Sequence, residues 1–160
     1  MSEAPHSDPS AVARVRAALT AAGLADTVVT FEDAVPTAVA AAGVLGCEVG
    51  AIANSLVFEV DGAPLLILAS GAARVDTRLL SRRLGGKVRR AAPEFVLEHT
   101  GQRVGGVAPV GHPERLRTLL DVHLAAHPLL WAGAGDHLSM LSISYADLAR
   151  VTEAEELEVR

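Results

Sequence analysis

Two polar residues lie in the middle of a strongly apolar stretch of the sequence. Asn54 and Ser55 fall within the run Ala-Ile-Ala-Asn-Ser-Leu-Val-Phe-Glu-Val at 51–60, which an Asp-Gly pair separates from a second apolar run at 63–70. Asp-Gly between two β-prone runs predicts a β-hairpin, because both turn positions require positive φ. A side-chain amide can donate two hydrogen bonds to acceptor oxygens. We therefore treat Asn54 and Ser55 as the first candidate site residues.

A glycine-rich segment at 101–111 supplies further candidates. It holds four glycines and one proline in eleven residues, a density that requires positive φ or close backbone approach. No Gly-Lys-Ser/Thr follows it, and its glycines do not open a helix, so it is neither a P-loop nor a dinucleotide-binding motif. The segment is either a connecting loop or a loop whose backbone N–H groups line an anionic or carbonyl-bearing substrate.

The histidines give weaker candidates. His123 and His127 are spaced for one face of a helix, but the intervening Glu of a zinc protease is missing, and no metal site is expected. Ser55, Asp76 and His137 have the residue types of a hydrolytic triad, although order along a chain carries no geometry. His137 follows a Gly-Ala-Gly break, so both a structural and a catalytic role stay open.

Length and composition indicate one cytoplasmic domain. The 160 residues suit a single core, with a flexible segment expected at 1–9 and one domain at 10–160. Half of the residues are hydrophobic and only 3% are aromatic, so the core must consist of Ala, Val and Leu. Cys47, the single cysteine, excludes an internal disulfide and is expected to be structural. No signal-peptide core or apolar run of about 20 residues is present, so no membrane partner is expected.

The charge distribution is uneven. A formal net charge of −5 and a pI near 5.6 argue against a protein that coats nucleic acid non-specifically, and no DNA partner is expected. Seven of the 14 basic residues nevertheless fall within 74–90. This cluster is either a solvated helix face with an exposed strand or a surface that faces phosphates.

Apolar periodicity and breakers predict the elements that hold these residues. Helices are predicted from Ser10, as the N-cap, to the Gly23 stop and at 37–42, 77–84, 92–98, 113–123 and 145–150. Strands are predicted at 28–31, 51–60, 63–70, 87–90, 129–132 and 137–143. Intermixed helices and strands, with neighbouring strands joined as hairpins, predict a mixed α+β domain.

Capping residues define the ends of several predicted helices. Asp76 is the predicted N-cap of the third helix, and Ser144 opens the last with a capping box. The second helix has Pro36 in its first turn and Gly43 at its end. Because it is almost all Ala and Val, we expect it to be buried or pressed closely on a neighbouring element.

The order and spacing of these motifs resemble the YbaK/EbsC family of trans-acting aminoacyl-tRNA deacylases, which is related to the editing domain inserted in bacterial prolyl-tRNA synthetases. The resemblance covers roughly residues 31–159. It rests on 37–42 before a glycine, Ile-Ala-Asn-Ser-Leu-Val at 52–57 with its hairpin, Ala-Ala-Arg-Val-Asp at 72–76, Gly-Gly-Val-Ala-Pro-Val-Gly at 105–111, Gly-Ala-Gly at 133–135 and Asp-Leu at 147–148.

The resemblance implies a mixed, barrel-like β-sheet flanked by helices, with a pocket that hydrolyses the ester of a mischarged tRNA. The implied partner is the 3′ end of an aminoacyl-tRNA, with tRNA(Pro) carrying a small amino acid as the expected substrate and no cofactor. The catalytic residues would be Asn54, Ser55, Gly105 and Gly106. The substrate-binding residues would be Pro109, Gly111, Gly133, Gly135, His137 and Asp76.

The sequence departs from the family at one position. In the family the residue at position 54 is typically Lys, which holds the terminal nucleotide while a water, oriented by the substrate 2′-hydroxyl and loop amides, attacks the ester. Asn54 carries no charge, and loss of a charge-assisted contact costs about 1.5–3 kcal/mol. The alternative expectation is therefore a YbaK-like binding module that is catalytically weak or silent.

Overall fold

The protein forms five α-helices and eight β-strands within residues 7–35 and 37–160, the residues described by the computed structural model. The helices are α1 (Pro9–Ala21), α2 (Ala38–Leu45), α3 (Thr77–Leu84), α4 (Pro93–Thr100) and α5 (Tyr145–Thr152). The strands are β1 (Val29–Thr30), β2 (Ile52–Val60), β3 (Ala63–Ser70), β4 (Val88–Arg90), β5 (Arg117–Asp121), β6 (Leu130–Gly133), β7 (Ser139–Ile143) and β8 (Glu155–Leu157). Two 3₁₀ turns span Val49–Ala51 and Val122–Ala126.

All eight strands belong to one mixed sheet. Its order is β1-β7-β6-β2-β3-β5-β8, and β4 pairs with β2 outside this path. The β6–β2, β3–β5 and β5–β8 pairs are parallel, and the others are antiparallel. Helices flank this sheet, so the predicted mixed α+β fold is confirmed.

The central strand β2 is paired along its length on one side only. Its antiparallel register with β3 is continuous from 53 to 60, and Asp61 and Gly62 form the predicted turn with φ of +50° and +85°. On the other side β2 pairs with β6 at 52–53 and with β4 at 58–60. Among the described residues, 54–57 therefore have no strand partner on that side.

The two-residue turn determines which backbone groups face this gap. Its closing pair, Val60 and Ala63, is hydrogen-bonded through its own backbone, so every second residue before Val60 also directs its N–H and C=O towards β3. Ile52 fits this alternation, because its carbonyl accepts from the Gly71 N–H at 2.7 Å. The N–H and C=O groups of Ser55 consequently point into the gap.

Aliphatic side chains fill the core, as the composition predicts. The run 65–68 on β3 is fully buried, which is the pattern of a central strand covered on both faces. On β2, Ala53 and Val57 belong to the largest core cluster, whereas Phe58 belongs to a second one. Alternate residues of β2 thus anchor the strand in cores on opposite faces of the sheet.

The predicted helix at 113–123 is wrong, because β5 and a 3₁₀ turn occupy this part of the chain. Leu116, Leu119 and Leu120 have helical spacing. Residues 118–121 are all buried, however, and β5 lies between β3 and β8. A parallel strand in this position has a continuous run of buried residues. A short apolar run of this kind fits a helix equally well. The polar edge strand β8 was not predicted.

Two helix boundaries also differ from prediction. Asp8, not Ser10, caps α1, and its carboxylate accepts the Ala11 N–H at 3.1 Å. The second helix continues past Gly43 and ends at Gly46, which takes φ +68°. Its outer face carries valines that are 72% and 59% exposed, at positions 39 and 44, whereas Ala41 and Ala42 are buried in a core cluster. The helix is therefore pressed on its neighbours by one face, the second of the two expected arrangements.

Other predicted helix starts are confirmed. The Asp76 carboxylate accepts the N–H groups of Arg78 and Leu79 at 3.1 and 3.0 Å, and Ser144 caps α5. Pro36 and residues 1–6 of the segment expected to be flexible lie outside the described residues. In the described part of the chain, no helix combines the length and apolarity needed to cross a membrane.

We expect Gly62→Ala to lower the free energy of unfolding by about 1–2 kcal/mol, because an L side chain is strained in the left-handed region. Gly43→Ala is the matched control, since it adds the same methyl group inside α2, where no atom lies within 4 Å of the new Cβ. It should raise the free energy of unfolding by about 0.5–1 kcal/mol. Urea denaturation measures both changes, and equal signs in the two variants would contradict these backbone assignments.

Candidate functional site

A cleft opens along the unpaired part of β2. Its inner part has a volume of about 40 Å³ and is lined by Ala41, Ile52, Gly133 and Met140, among others. Its outer part has about 350 Å³ and reaches Arg90 at the end of β4. Asn54, Ser55 and Gly105 line both parts. The gap in the pairing of β2 is therefore a wall that both parts share.

Asn54 and Ser55 present polar groups that the protein itself does not use. Asn54 is half-buried, and its carboxamide forms no hydrogen bond within the described residues. The Ser55 Oγ is buried and has no hydrogen-bond partner there either. An unsatisfied buried hydroxyl costs about 1–3 kcal/mol. The Asn54 carboxamide can thus donate hydrogen bonds to a molecule bound in the cleft, and the Ser55 hydroxyl is an unused donor in the wall beside it.

The glycine-rich loop opposite β2 is ordered by a buried glutamine. Gln102 is 1% exposed; its Oε1 accepts the Ala108 N–H at 2.7 Å and its Nε2 donates to the Val110 carbonyl at 3.3 Å. Thr100 Oγ1 accepts the Gln102 N–H at 3.0 Å. These bonds join both ends of the loop. Sequence reasoning missed Gln102, whose signal is a lone polar side chain just after a helix-ending glycine.

Two glycines allow the loop and β6 to approach backbone to backbone. A Cβ on Gly106 would lie 2.8 Å from the Asp136 Cα, and one on Gly133 would lie 2.8 Å from the Val107 carbonyl oxygen. The Gly106 carbonyl accepts the Gly135 N–H at 2.9 Å. The two walls of the cleft are therefore fixed to each other by main-chain contacts that larger residues would prevent.

The two predicted catalytic glycines differ in what their amides can do. The Gly106 N–H donates to the Arg103 carbonyl at 2.9 Å, within a turn of the loop. Gly105, at φ +90°, lines the cleft, and its N–H forms no hydrogen bond within the described residues. Of this pair, Gly105 carries the amide that is available to a ligand.

His137 ties the loop to the turn after β6. It is buried, and its Nε2 donates to the Val104 carbonyl at 2.9 Å. Asp136 beside it lines the inner end of the cleft, and its carboxylate accepts the backbone N–H groups of Asp8 and Leu138 at 2.9 and 3.0 Å. Sequence reasoning missed Asp136, although it directly follows the predicted Gly-Ala-Gly turn.

Five of the six predicted substrate-binding residues, all but Gly133, are not among those that line the cleft. Gly135 and His137 lie in the turn after β6. Pro109 and Gly111 line a separate cavity of about 400 Å³ on another side of the glycine-rich loop. Asp76 caps α3. The structure thus brings Asn54, Ser55, Gly105 and Gly133 together. Because the Ser55 Oγ has no partner in the described part of the chain, it forms no triad with Asp76 and His137.

The remaining titratable candidates have structural contacts. Burial lowers the pKa of His112, although its hydrogen bond to the Ala108 carbonyl raises it; this ring supports the glycine-rich loop. Burial also raises the pKa of the Cys47 thiol. His123 donates from Nδ1 to the Asp121 carboxylate at 2.9 Å. No group of three or more His, Cys, Asp and Glu side chains in 7–35 and 37–160 could hold a metal ion.

The fold and the cleft define a class of α+β domain in which a strand and a glycine-rich loop face each other across a substrate-sized opening. Residues 32–151 match the family described as aminoacyl-tRNA editing domain. The chain belongs to this family of YbaK-like editing domains. The resemblance indicated by the sequence is thereby confirmed, and membership implies an interaction with tRNA and a deacylase-type function.

Individual relatives agree with this membership. The uncharacterized protein YwhH of Bacillus subtilis (strain 168) is 32% identical over 123 residues, which cover 76% of this chain and 78% of YwhH. The proline–tRNA ligase of Maridesulfovibrio salexigens is 34% identical over 122 residues, 69% of this chain but only 21% of that ligase. The crystal structure of a candidate trans-editing enzyme for prolyl tRNA synthetase has a TM-score of 0.90 and 36% identity, and the match covers 97% and 99% of the two chains.

Gln102→Ala should lower the free energy of unfolding by about 1–3 kcal/mol, because it leaves the buried Ala108 N–H without an acceptor. Arg103→Ala, next to it but exposed, should change that energy by less than about 0.5 kcal/mol. Urea denaturation measures the stabilities, and amide hydrogen exchange at Ala108 reports the loop itself. Unchanged exchange at Ala108 in Gln102→Ala would contradict the role given to this glutamine.

Proposed function

We propose that this chain is a trans-acting deacylase that hydrolyses the ester of a mischarged tRNA, with tRNA(Pro) carrying a small amino acid as its substrate. The observation that carries the proposal is the pair Asn54 and Ser55. Their unpartnered polar groups line the gap in β2 opposite the free amide of Gly105. Membership in the editing-domain family supports the same reaction.

In the proposed reaction the 3′ end of the tRNA enters the outer part of the cleft, and the ester lies beside Asn54. The Asn54 amide donates to a ribose or carbonyl oxygen, and the Ser55 hydroxyl and Gly105 N–H face the same ester. A water, oriented by the substrate 2′-hydroxyl, attacks the carbonyl carbon. The bond between the carbonyl carbon and the esterified ribose oxygen then breaks, and this oxygen leaves with the proton that the attacking water has lost, giving the free amino acid and the uncharged tRNA. Positioning and fixed donors towards the developing oxyanion supply the rate enhancement.

The inner part of the cleft supports a small amino acid. One water needs about 10–15 Å³ on this measure of volume, so about 40 Å³ accommodates a group of only a few heavy atoms. Val35, Ile52 and Met140 form apolar walls there. Such a pocket discriminates by excluding bulk, and larger side chains would be rejected at this end.

A binding module without catalysis is the second candidate, and the missing charge at position 54 favours it. Such a module would keep the cleft and recognise the tRNA end without hydrolysing the ester. The two candidates differ in the activity of the native chain. If Asn54→Lys creates deacylation where the native protein shows none, the native site is a binder.

Asn54→Ala should reduce kcat/KM for Ala-tRNA(Pro) by about two- to twelvefold, the value of one neutral hydrogen bond. Asn54→Asp should reduce it further, because the isosteric carboxylate cannot donate and adds negative charge beside a polyanion. Asn54→Lys introduces the charged side chain that is typical of the family at this position, and it should raise kcat/KM. Deacylation of a panel of mischarged tRNAs measures these values. Full native activity in Asn54→Ala would refute the role of this amide.

Ser55→Ala should reduce kcat/KM without lowering the free energy of unfolding, because it removes a buried hydroxyl that has no partner in the described residues. Ser70→Ala is the matched control. Its Oγ donates to the Gly50 carbonyl at 3.1 Å and accepts the Ala72 N–H at 3.3 Å, outside the cleft. This variant should lose about 1 kcal/mol of stability and keep its kcat/KM. A loss of stability with unchanged kcat/KM in Ser55→Ala would show that the substrate does not use the Ser55 hydroxyl.

A further inference from the structure

A strongly basic surface lies outside the chemistry of the cleft. Residues 74–90, which include α3 and β4, contain seven of the 14 basic residues of the chain and one of its 19 acidic residues. All seven basic side chains are exposed. We call this surface the basic face; its members are Arg74, Arg78, Arg82, Arg83, Lys87, Arg89 and Arg90.

The protein leaves most of this charge unneutralised. The one carboxylate of the segment, Asp76, is bound to the N–H groups that begin α3. Arg89 is the one member that forms an ion pair with a carboxylate of the described residues, that of Glu59. Four of the seven arginines outside this segment form ion pairs with carboxylates: Arg16, Arg115, Arg117 and Arg150. Unpaired surface cations in a chain with an acidic balance indicate a polyanionic partner.

The basic face leads directly to the mouth of the cleft. Arg90 ends β4 and lines the outer part of the cleft, and β4 pairs with β2 next to the gap at 54–57. On α3, Arg78 and Arg82 lie one turn apart on an exposed face. An anionic molecule that covers this face would therefore have one end at the cleft.

We propose that the basic face binds the phosphate backbone of the acceptor stem of the tRNA whose 3′ end occupies the cleft. This inference rests on the proposed function for the identity of the polyanion. Arg78 and Arg82 contact successive phosphates, and Arg90 guides the single-stranded end into the outer part of the cleft. The acidic remainder of the chain repels the tRNA from other surfaces, so the charge distribution sets the orientation of binding.

The test measures binding of an uncharged tRNA(Pro) transcript to the full chain by fluorescence anisotropy over a series of KCl concentrations. Replacing both arginines, Arg78→Ala with Arg82→Ala, should weaken binding about tenfold and make the slope of log K against log salt shallower by about two. Arg115→Ala with Arg117→Ala is the control, since it removes the same charge from exposed arginines outside the basic face. It should leave the slope unchanged.

An unchanged slope in the Arg78–Arg82 variant would overturn the proposal, as would an equal change in the control variant or a native chain that binds no tRNA. Circular dichroism of both variants checks that the fold is kept. Because uncharged tRNA is used, the result is independent of hydrolysis. If the Arg78–Arg82 variant shows the expected loss of binding but the native chain deacylates no tRNA, the basic face is supported and the proposed function is contradicted. If the native chain deacylates tRNA but the slope of this variant is unchanged, the proposed function is supported and the basic face is contradicted.

Discussion

The strand β2 has one complete and one interrupted set of hydrogen bonds, and the candidate site depends on that asymmetry. Its hairpin with β3 satisfies one side from 53 to 60. The other side is divided between β6 at 52–53 and β4 at 58–60, so the backbone of Ser55 stays open. Buried backbone groups are almost always paired in native proteins. A strand held rigidly at both ends but open in its middle is therefore suited to hold a ligand through its main chain.

In the opposite wall of the cleft, glycines allow backbone segments to contact each other directly, in place of side-chain packing. Gly106 against Asp136 and Gly133 against Val107 leave no room for a Cβ. Gln102 then supplies from inside the loop the hydrogen bonds that a strand partner would otherwise give. The loop is consequently ordered without belonging to the sheet, and the amide of Gly105 can face the cleft at a fixed distance from β2.

Local signals in the sequence predicted much of the fold. The Asp-Gly turn, the Asp76 and Ser144 caps and the order of most elements depend on neighbouring residues, and all are confirmed. The error at 113–123 has a tertiary cause, because burial of β5 between two strands overrides a leucine spacing that also fits a helix. The predicted helix end at Gly43 was wrong for a local reason. A glycine inside a helix costs only about 1 kcal/mol, so the helix can continue through it.

The candidate site was harder to predict than the fold, because its walls come from chain segments far apart. Asn54 and Ser55 were recognisable as polar residues in an apolar strand. Asp136 and Gln102 carry no such local mark, since their roles follow from backbone groups that only the folded chain brings to them. Pro109 shares a motif with Gly105 but lines a separate cavity, and Asp76 caps α3. Motif membership thus locates a loop without saying which of its residues face the substrate.

The most direct test of the account is a titration with an amide-linked, non-hydrolysable 3′-aminoacyl-adenosine, followed in the ¹⁵N–¹H spectrum. The chain has one asparagine and one glutamine, so each side-chain amide is assigned without ambiguity. We expect the Asn54 side-chain resonances and the Ser55 and Gly105 amides to shift on saturation, while those of the Gln102 side chain stay in place. Saturable binding that leaves the Asn54 resonances unmoved would contradict the claim that the gap in β2 receives the aminoacyl end.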